Sequence, residues 1–226
     1  MSIKERDLMN PDFAIILNFK LKSIKDVDAD FLVKTARNIG ARAVATDQLQ
    51  ADFEKACAKY TIALVDAQTG VDLTPVNVID EIVNHRKEGN SIFINVEVDS
   101  ANSLSESTTE MFTATNNWMH IFGHALNESE PCACTSDNGF VLQNRHMQYQ
   151  KYVFVKKPLA REVVVDGIAV EPNRIEMIEK RTEPKFSYED GKLTIDLADI
   201  PESDFDWQII RVQEHRPEDD IKETKF

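Results

Sequence analysis

The sequence predicts a mixed protein, in which an α/β region with a parallel sheet precedes an all-β region with antiparallel strands. Strand-like and helix-like segments alternate up to about residue 130, and this alternation is typical of a parallel sheet with crossover helices. From residue 136 onward, only short strand-like segments follow, separated by turn signals, as in an antiparallel sandwich. We therefore expect two domains, residues 1–130 and residues 136–226.

The first region holds four strand-like segments, each followed by a helix whose apolar residues recur at spacings of three and four. The predicted strands are residues 13–19, 43–45, 61–65 and 91–98. Residues that favour the start of a helix precede all four helices: Asp26 or Asp28, Thr46 or Asp47, Thr74, and Ser103 or Ser105. Gly40 is expected to end the first helix and Gly123 the fourth.

The second region begins after a polar segment at residues 130–139, which we interpret as a loop at the domain boundary. Two Asp-Gly pairs, at Asp166 and Asp190, indicate hairpin turns. The acidic end, residues 215–226, is expected to be a frayed tail. The predicted strands are residues 140–143, 152–155, 162–165, 174–177, 185–188, 192–197 and 207–212.

Composition narrows the function classes. The chain has 226 residues, of which 39 are acidic and 26 basic, so its formal net charge is -13 and we expect no nucleic-acid partner. We expect no membrane partner either, because no stretch approaches the roughly 20 apolar residues of a membrane helix. A charged N-terminus without a signal-like apolar core and only three cysteines indicate a cytoplasmic protein.

Four groups of residues carry a likeness to a known family. They are residues 28–44, with a helix, a Gly-Ala turn and a strand; the strand at 90–95; the helix end around Trp118 at 118–125; and the strands at 152–168 and 190–195. In this order the chain resembles the α-L-fucosidase family of glycoside hydrolases. The resemblance implies a truncated TIM-barrel-like βα domain followed by a small antiparallel β-sandwich.

The chain departs from that family where the family does its chemistry. A closed eight-stranded barrel needs upwards of about 200 residues, whereas the first region has room for about four βα units. The middle strands, which carry the family's nucleophilic Asp, have no counterpart, and Thr46-Asp47-Gln48 stands where the family has a His-His pair. We therefore expect a catalytically impaired relative. Because a half-barrel leaves open edges and an apolar face, we also expect a homodimer through the βα domain.

Polar side chains at the predicted strand ends are the candidate site, because ligands of such folds bind at the carboxyl ends of the strands. Asp66 and Glu97 are the candidates for catalysis, since a glycosidase needs two nearby carboxylates. The candidates for binding a small carbohydrate are Asp47, Asp66, Gln68, Asn95 and Glu97. The plainer interpretation is that Asp47 caps a helix and that the other acids are solvated.

Three functions stay open on this basis: a carbohydrate-binding or regulatory protein, a divergent glycoside hydrolase acting on a fucoside-like substrate, and a structural interaction module. A zinc site is a further hypothesis, because His120, His124, Cys132 and Cys134 have side chains that bind zinc. We do not favour this hypothesis, since Gly123 is expected to end the helix between the two histidines, and we expect His124 to be a turn residue packed between the domains. No cofactor is expected, because neither a phosphate-binding loop nor a dinucleotide fingerprint is present.

Overall fold

A computed structural model describes residues 13–99 and 103–215. The chain divides into two compact units, Met1–Asn127 and Glu128–Phe226. The charged N-terminal residues and the expected acidic tail from residue 216 onward lie outside the described residues. Among the residues that are described, no helix is long and apolar enough to span a membrane.

The first unit alternates strands and helices and forms one parallel sheet, as the sequence predicts. Its four strands lie in the order β3-β2-β1-β4. Helix α1 packs against α2, and α3 packs against α4. The elements are β1 (Ile15–Leu21), α1 (Ala29–Asn38), β2 (Ala43–Ala45), α2 (Gln50–Tyr60), β3 (Ala63–Val65), α3 (Val78–Lys87), β4 (Ile92–Val98) and α4 (Glu106–Asn127). This is a truncated α/β domain, and the predicted fold class is confirmed.

Two of the predicted helix starts are correct. Asp28 precedes α1 and accepts a hydrogen bond from the Phe31 amide at 3.1 Å. Ser105 precedes α4 and accepts one from the Thr108 amide, also at 3.1 Å. Each side chain satisfies a first-turn N–H that has no partner within the helix.

The other two predicted starts are wrong, because the polar side chains form local turns instead. Helix α2 begins only at Gln50, since the Thr46 hydroxyl accepts from the Gln48 amide at 3.2 Å and closes a turn ahead of the helix. Helix α3 begins at Val78, four residues after Thr74. There the Asn77 side chain accepts a hydrogen bond from the Thr74 amide at 2.8 Å. The side chain of Asn77 thus binds an earlier residue and caps no N–H group of α3.

The predicted end of α4 at Gly123 is also wrong, because the helix continues to Asn127. Gly123 is buried, and a Cβ there would lie 3.2 Å from the Met119 methyl group. The same methyl group would lie 2.7 Å from a Cβ at Gly40, whose φ is +89° as expected for a residue that ends α1. The two glycines therefore make room for Met119, and only Gly40 ends a helix.

The second unit is a sandwich of two antiparallel sheets. One sheet has five strands in the order β10-β13-β8-β7-β5, and the other has four in the order β11-β12-β9-β6. Apolar side chains from both sheets form a single core that includes Val153, Val165 and Ile195. The strands are β5 (Ser129–Pro131), β6 (Thr135–Ser136), β7 (Phe140–Asn144), β8 (Gln150–Lys156), β9 (Glu162–Asp166), β10 (Pro172–Met177), β11 (Lys185–Glu189), β12 (Lys192–Asp196) and β13 (Trp207–Glu214).

All seven predicted strands of this unit are present, but the segment at 130–139 is not only a loop. It contains the end of β5 and all of β6, which pair with β7 and β9 respectively. Pro131 and the polar side chains of these two short strands are typical of turns. The backbone is nevertheless paired, so strands lie where the sequence predicts only a loop. The residues between β5 and β6 carry the chain from one sheet of the sandwich to the other.

Candidate functional site

The segment after β3 crosses one face of the parallel sheet, past the ends of β2 and β3 and at the level of Asn18 in β1 and Asn95 in β4, and we call residues 66–71 the crossing loop. Strand β3 is at one edge of the sheet, whereas Val71 pairs with Ile94 on the outer side of β4 at the other edge. Two backbone hydrogen bonds fix this pairing: the Val71 amide donates to Phe93 at 2.8 Å, and the Asn95 amide donates to Val71 at 2.9 Å. The crossing loop thus passes over all four strands.

The crossing loop has little slack. Four strand spacings, from β3 to the far side of β4, amount to roughly 19 Å in a flat sheet. The six residue steps from Val65 to Val71 reach at most about 20 to 22 Å when fully extended. The chain must therefore cross the sheet almost directly, near the carboxyl ends of the strands, where folds of this type bind their ligands.

Three amide and carboxylate side chains form a connected chain beneath the crossing loop, and we call Asn18, Asn95 and Asp72 the amide cluster. Asn18 is fully buried in β1, and its Nδ2 donates to the Gln68 carbonyl at 2.8 Å and to Asn95 Oδ1 at 2.9 Å. The Nδ2 of Asn95 donates in turn to Asp72 Oδ1 at 2.9 Å. These bonds join β1 and β4 to the crossing loop and to the residue that follows it.

Gly70 lies where the crossing loop comes closest to β4. A Cβ at this position would lie 2.3 Å from Asn95 Oδ1 and 2.8 Å from the Phe93 carbonyl oxygen. Any larger residue would collide with both, so the close approach of the two backbones requires glycine here.

One acceptor in the amide cluster is left over. The Oδ1 atom of Asn18 is buried and has no hydrogen-bond partner among the described residues. An amide oxygen in this position calls for a donor, such as a water molecule or a hydroxyl group. The buried Asn18 Oδ1 atom can therefore accept a hydrogen bond from one small donor.

The structure separates the predicted ligand-binding residues into two groups. Asn95 alone lies in the amide cluster, half-buried, and contributes to holding the crossing loop. Asp66 and Gln68 lie in the crossing loop with exposed side chains, and Asp47 is exposed in the segment between β2 and α2. The Gln68 side chain is thus on the surface, and only its backbone carbonyl enters the amide cluster.

Glu97, the second catalytic candidate, belongs to a surface ion pair. Its carboxylate lies 2.9 Å from Lys22 Nζ, which also lies 3.3 Å from the Asp99 carboxylate. The hydrogen bond to Glu97, and next the one to Asp99, raise the pKa of Lys22 above its usual value. Because the Glu97 side chain is 70% exposed, the pair contributes little to stability. Asp66 follows β3 and Glu97 lies in β4, at opposite edges of the sheet.

Sequence reasoning missed Asn18, Gly70 and Asp72, which complete the site. The only local signal for Asn18 is that an amide lies between the apolar residues Leu17 and Phe19 of β1. A strand alignment would have found it, because Asn18 pairs directly with Asn95 in the parallel register.

The zinc hypothesis can be compared with the structure residue by residue. Because α4 continues past Gly123, His120 and His124 are four residues apart on one helix, and both are exposed. Cys132 and Cys134 lie in the second unit, where their thiols face carbonyl oxygens. Across residues 13–99 and 103–215, no group of three or more His, Cys, Asp or Glu side chains could hold a metal ion.

The fold matches solved structures of α-L-fucosidases. A GH29 α-L-fucosidase from Bacteroides thetaiotaomicron, trapped as a covalent intermediate, has a TM-score of 0.53 at 13% identity, over 77% of this chain and 38% of that one. Isoenzyme 1 from Paenibacillus thiaminolyticus has a TM-score of 0.55 at 12% identity, over 89% and 58%. The Thermotoga maritima α-fucosidase in complex with fucose has a TM-score of 0.51 at 12% identity, over 81% and 56%.

The sequence itself matches no protein-family model and no curated protein. The chain spans between 38% and 58% of the length of these three fucosidases. The resemblance predicted from the sequence is thus confirmed at the level of the fold. This chain has a glycoside hydrolase-like fold of the α-L-fucosidase type, with its parallel sheet reduced to four strands.

Proposed function

We propose that the protein is a catalytically impaired relative of α-L-fucosidases that serves as a binding protein. The crossing loop is the observation that carries this proposal. It runs past the ends of β2 and β3 and over Asn18 and Asn95, beside the region where a ligand would bind in a fold of this type, and its backbone is bonded to β4 and to Asn18. A substrate that entered from this side would first have to displace a segment of the protein itself.

The ligand class we propose is a small carbohydrate, bound on the outer side of the crossing loop. Carboxylate and amide groups that can form hydrogen bonds with sugar hydroxyls are exposed in the loop, on Asp66 and Gln68, and a further exposed carboxylate, that of Asp47, lies between β2 and α2. A site of this kind needs no nucleophile. Because it lies on an open surface, we expect binding that is weak, with a dissociation constant on the order of 1 mM.

A thermal-shift panel with L-fucose, galactose and their aryl glycosides tests the binding proposal. A ligand at about 100 times its dissociation constant stabilises the native state by roughly 2.7 kcal/mol, so binding must raise the melting temperature. The shift should be lost in Asp66→Ala and kept in Asp99→Ala, a matched acidic control that lies in the surface ion pair with Lys22. No shift with any sugar at about 100 mM, roughly 100 times the expected dissociation constant, would contradict carbohydrate binding.

The enzyme alternative is a divergent glycoside hydrolase that uses Asp66 and Glu97 on a fucoside-like substrate. Cleavage of an aryl α-L-fucoside by the purified protein, abolished in Glu97→Gln and in Asp66→Asn, would support this alternative and refute the impaired state. We expect no turnover in the wild type, because Glu97 is engaged with Lys22 at the surface. Sugar binding without turnover is the result that the proposal requires.

A structural interaction module is the remaining alternative, and one observation favours it. On the face of the sheet that carries Ile16 and Ala43, the side chains of Val65, Phe93 and Phe13 are only partly buried. We propose that a second copy of the chain covers this face, which gives a homodimer through the βα unit. Light scattering should show a dimer that dissociates in Val65→Lys but persists in Val76→Lys, whose side chain is 91% exposed. A wild-type monomer would contradict the homodimer.

The cytoplasmic location stays a prediction from composition. Fractionation of the source cells, with the protein in the soluble fraction of the cytoplasm, would agree with it.

A further inference from the structure

The two cysteines of the second unit lie at the point where the chain passes between the sheets of the sandwich. Strand β5 belongs to the five-stranded sheet and β6 to the four-stranded one, and only three residues, Cys132, Ala133 and Cys134, connect them. The backbone bends at Ala133. We call these three residues the sheet crossover.

Each thiol of the sheet crossover contacts a carbonyl oxygen of a different sheet. The Cys132 sulfur lies 3.6 Å from the carbonyl oxygen of Val141, which is in β7. The Cys134 sulfur lies 3.2 Å from the carbonyl oxygen of Gly167, at the turn after β9. The two thiols are also close enough that each alters the pKa of the other. Both are free cysteines.

The two thiols differ in their exposure and in their acidity. Cys132 is partly exposed, whereas Cys134 is 9% exposed and belongs to the core of the sandwich. The side-chain interaction with Cys134 is the main cause that lowers the pKa of Cys132 to about 7, and the charge of Lys151 lowers it further. The same interaction, and then burial, raise the pKa of Cys134. A partly exposed thiolate beside a buried thiol is the arrangement of an attacking and a resolving cysteine.

The backbone geometry allows a bond between them. In a fully extended chain, Cα atoms two residues apart are separated by roughly 6.6 Å, which is inside the range of about 4.4 to 6.8 Å that disulfides span. The bend at Ala133 shortens this distance. The strands β5 and β6 on either side could therefore keep their places.

We propose that Cys132 and Cys134 form a redox-active pair, which a low-molecular-weight disulfide such as oxidised glutathione converts into an intramolecular disulfide within the sheet crossover. The Cys132 thiolate attacks one sulfur of the oxidant, which forms a mixed disulfide and releases one thiolate. Cys134 then loses its proton and attacks the Cys132 sulfur, which releases the second thiolate. The protein dithiol gives up two electrons and two protons, and the oxidant becomes two thiols.

Formation of the disulfide moves the Cys132 sulfur away from the carbonyl oxygen of Val141 and the Cys134 sulfur away from the carbonyl oxygen of Gly167. The sheet crossover thereby loses one contact to each sheet and gains a covalent link within itself. The reaction acts on the second unit and does not depend on the carbohydrate proposal, which concerns the first unit.

The test is a titration of the full chain with oxidised and reduced glutathione at pH 7.5, followed by alkylation and peptide mass spectrometry. After oxidation, the peptide with Cys132 and Cys134 should resist alkylation and be lighter by two hydrogens, and dithiothreitol should restore both thiols. In Cys134→Ser, one glutathione should accumulate on Cys132, because the resolving thiol is absent. In Cys132→Ser, Cys134 should stay unmodified, because it is buried.

Cys57 is the internal control, since its side chain is fully buried in α2 and should stay reduced throughout. The wild-type measurement stands by itself if a variant fails to fold. The proposal is overturned if both thiols remain alkylatable after oxidation, or if oxidation links Cys132 of one chain to another chain.

Discussion

Replacement of Gly70 by alanine is the sharpest test of the site, because it forces the crossing loop away from β4. The new Cβ would lie 2.3 Å from Asn95 Oδ1, so one of the two must move by about 1 Å to reach ordinary contact. Asn95 is held by hydrogen bonds to Asn18 and Asp72, both 2.9 Å long. Loss of these two bonds, each worth about 1 kcal/mol net, predicts that the first unit loses about 2 kcal/mol of stability.

The two tryptophans allow this loss to be measured in one unit alone. Trp118 is in α4 of the first unit and Trp207 is in β13 of the second, so urea unfolding in a Trp207→Phe background reports on the first unit through Trp118 fluorescence. Hydrogen exchange at the Val71 amide should also accelerate, since its bond to Phe93 lies beside the collision.

Gln68→Ala is the matched control for Gly70→Ala. It changes the same loop but keeps the backbone carbonyl that Asn18 binds, so its stability should stay within about 0.5 kcal/mol of the wild type. If Gly70→Ala unfolds at the same urea concentration as this control, the close contact between the crossing loop and β4 is refuted.

Three further predictions concern the second unit. Lys151→Met should destabilise it by about 3 to 5 kcal/mol in urea unfolding monitored by Trp207 fluorescence. The buried Glu214 carboxylate lies 3.1 Å from Lys151 Nζ and would lose its counter-charge. A loss below about 1 kcal/mol would contradict this prediction. Glu176→Gln should cost a similar amount, since three arginines converge on this fully buried carboxylate, and the exposed Glu183→Gln is its control. Alkylation of Cys132 should reach half its maximal rate near pH 7 and not near pH 9, because its lowered pKa leaves about half of the thiol ionised at pH 7. A midpoint near pH 9 would contradict the effect of Cys134 on this pKa.

The alternation of elements and the strands of the sandwich could be predicted because their signals are local. An apolar run, an Asp at a helix start or an Asp-Gly turn is read from a few neighbouring residues, and Asp28 is an example that the structure confirms. Gly123 shows the limit of such signals, since a glycine near the end of a periodic segment reads as a stop but serves here to admit Met119.

The position of the crossing loop could not be predicted, because its own residues do not indicate which strand it pairs with. Its position depends on the pairing of Val71 with Ile94, which is 23 residues further along the chain. The amide cluster depends on longer separations still, since the bond between Asn18 and Asn95 joins residues 77 positions apart. Candidate residues chosen by their place after a strand therefore included Asn95 and omitted its partners.

The small number of strands in the parallel sheet and the path of the crossing loop can be explained together. In a closed eight-stranded barrel, bulky branched side chains from all strands fill the interior. Here the corresponding face carries the small residues Ala43, Ala45 and Ala63, and Ala67 of the crossing loop packs against them. Small side chains on β2 and β3 leave the depth that a crossing segment needs, and the loop supplies part of the packing of this face, whereas Phe13, Val65 and Phe93 stay partly exposed. The same loop crosses the sheet at Asn18 and Asn95, so the segment that packs on this face also occupies the space in front of these two side chains.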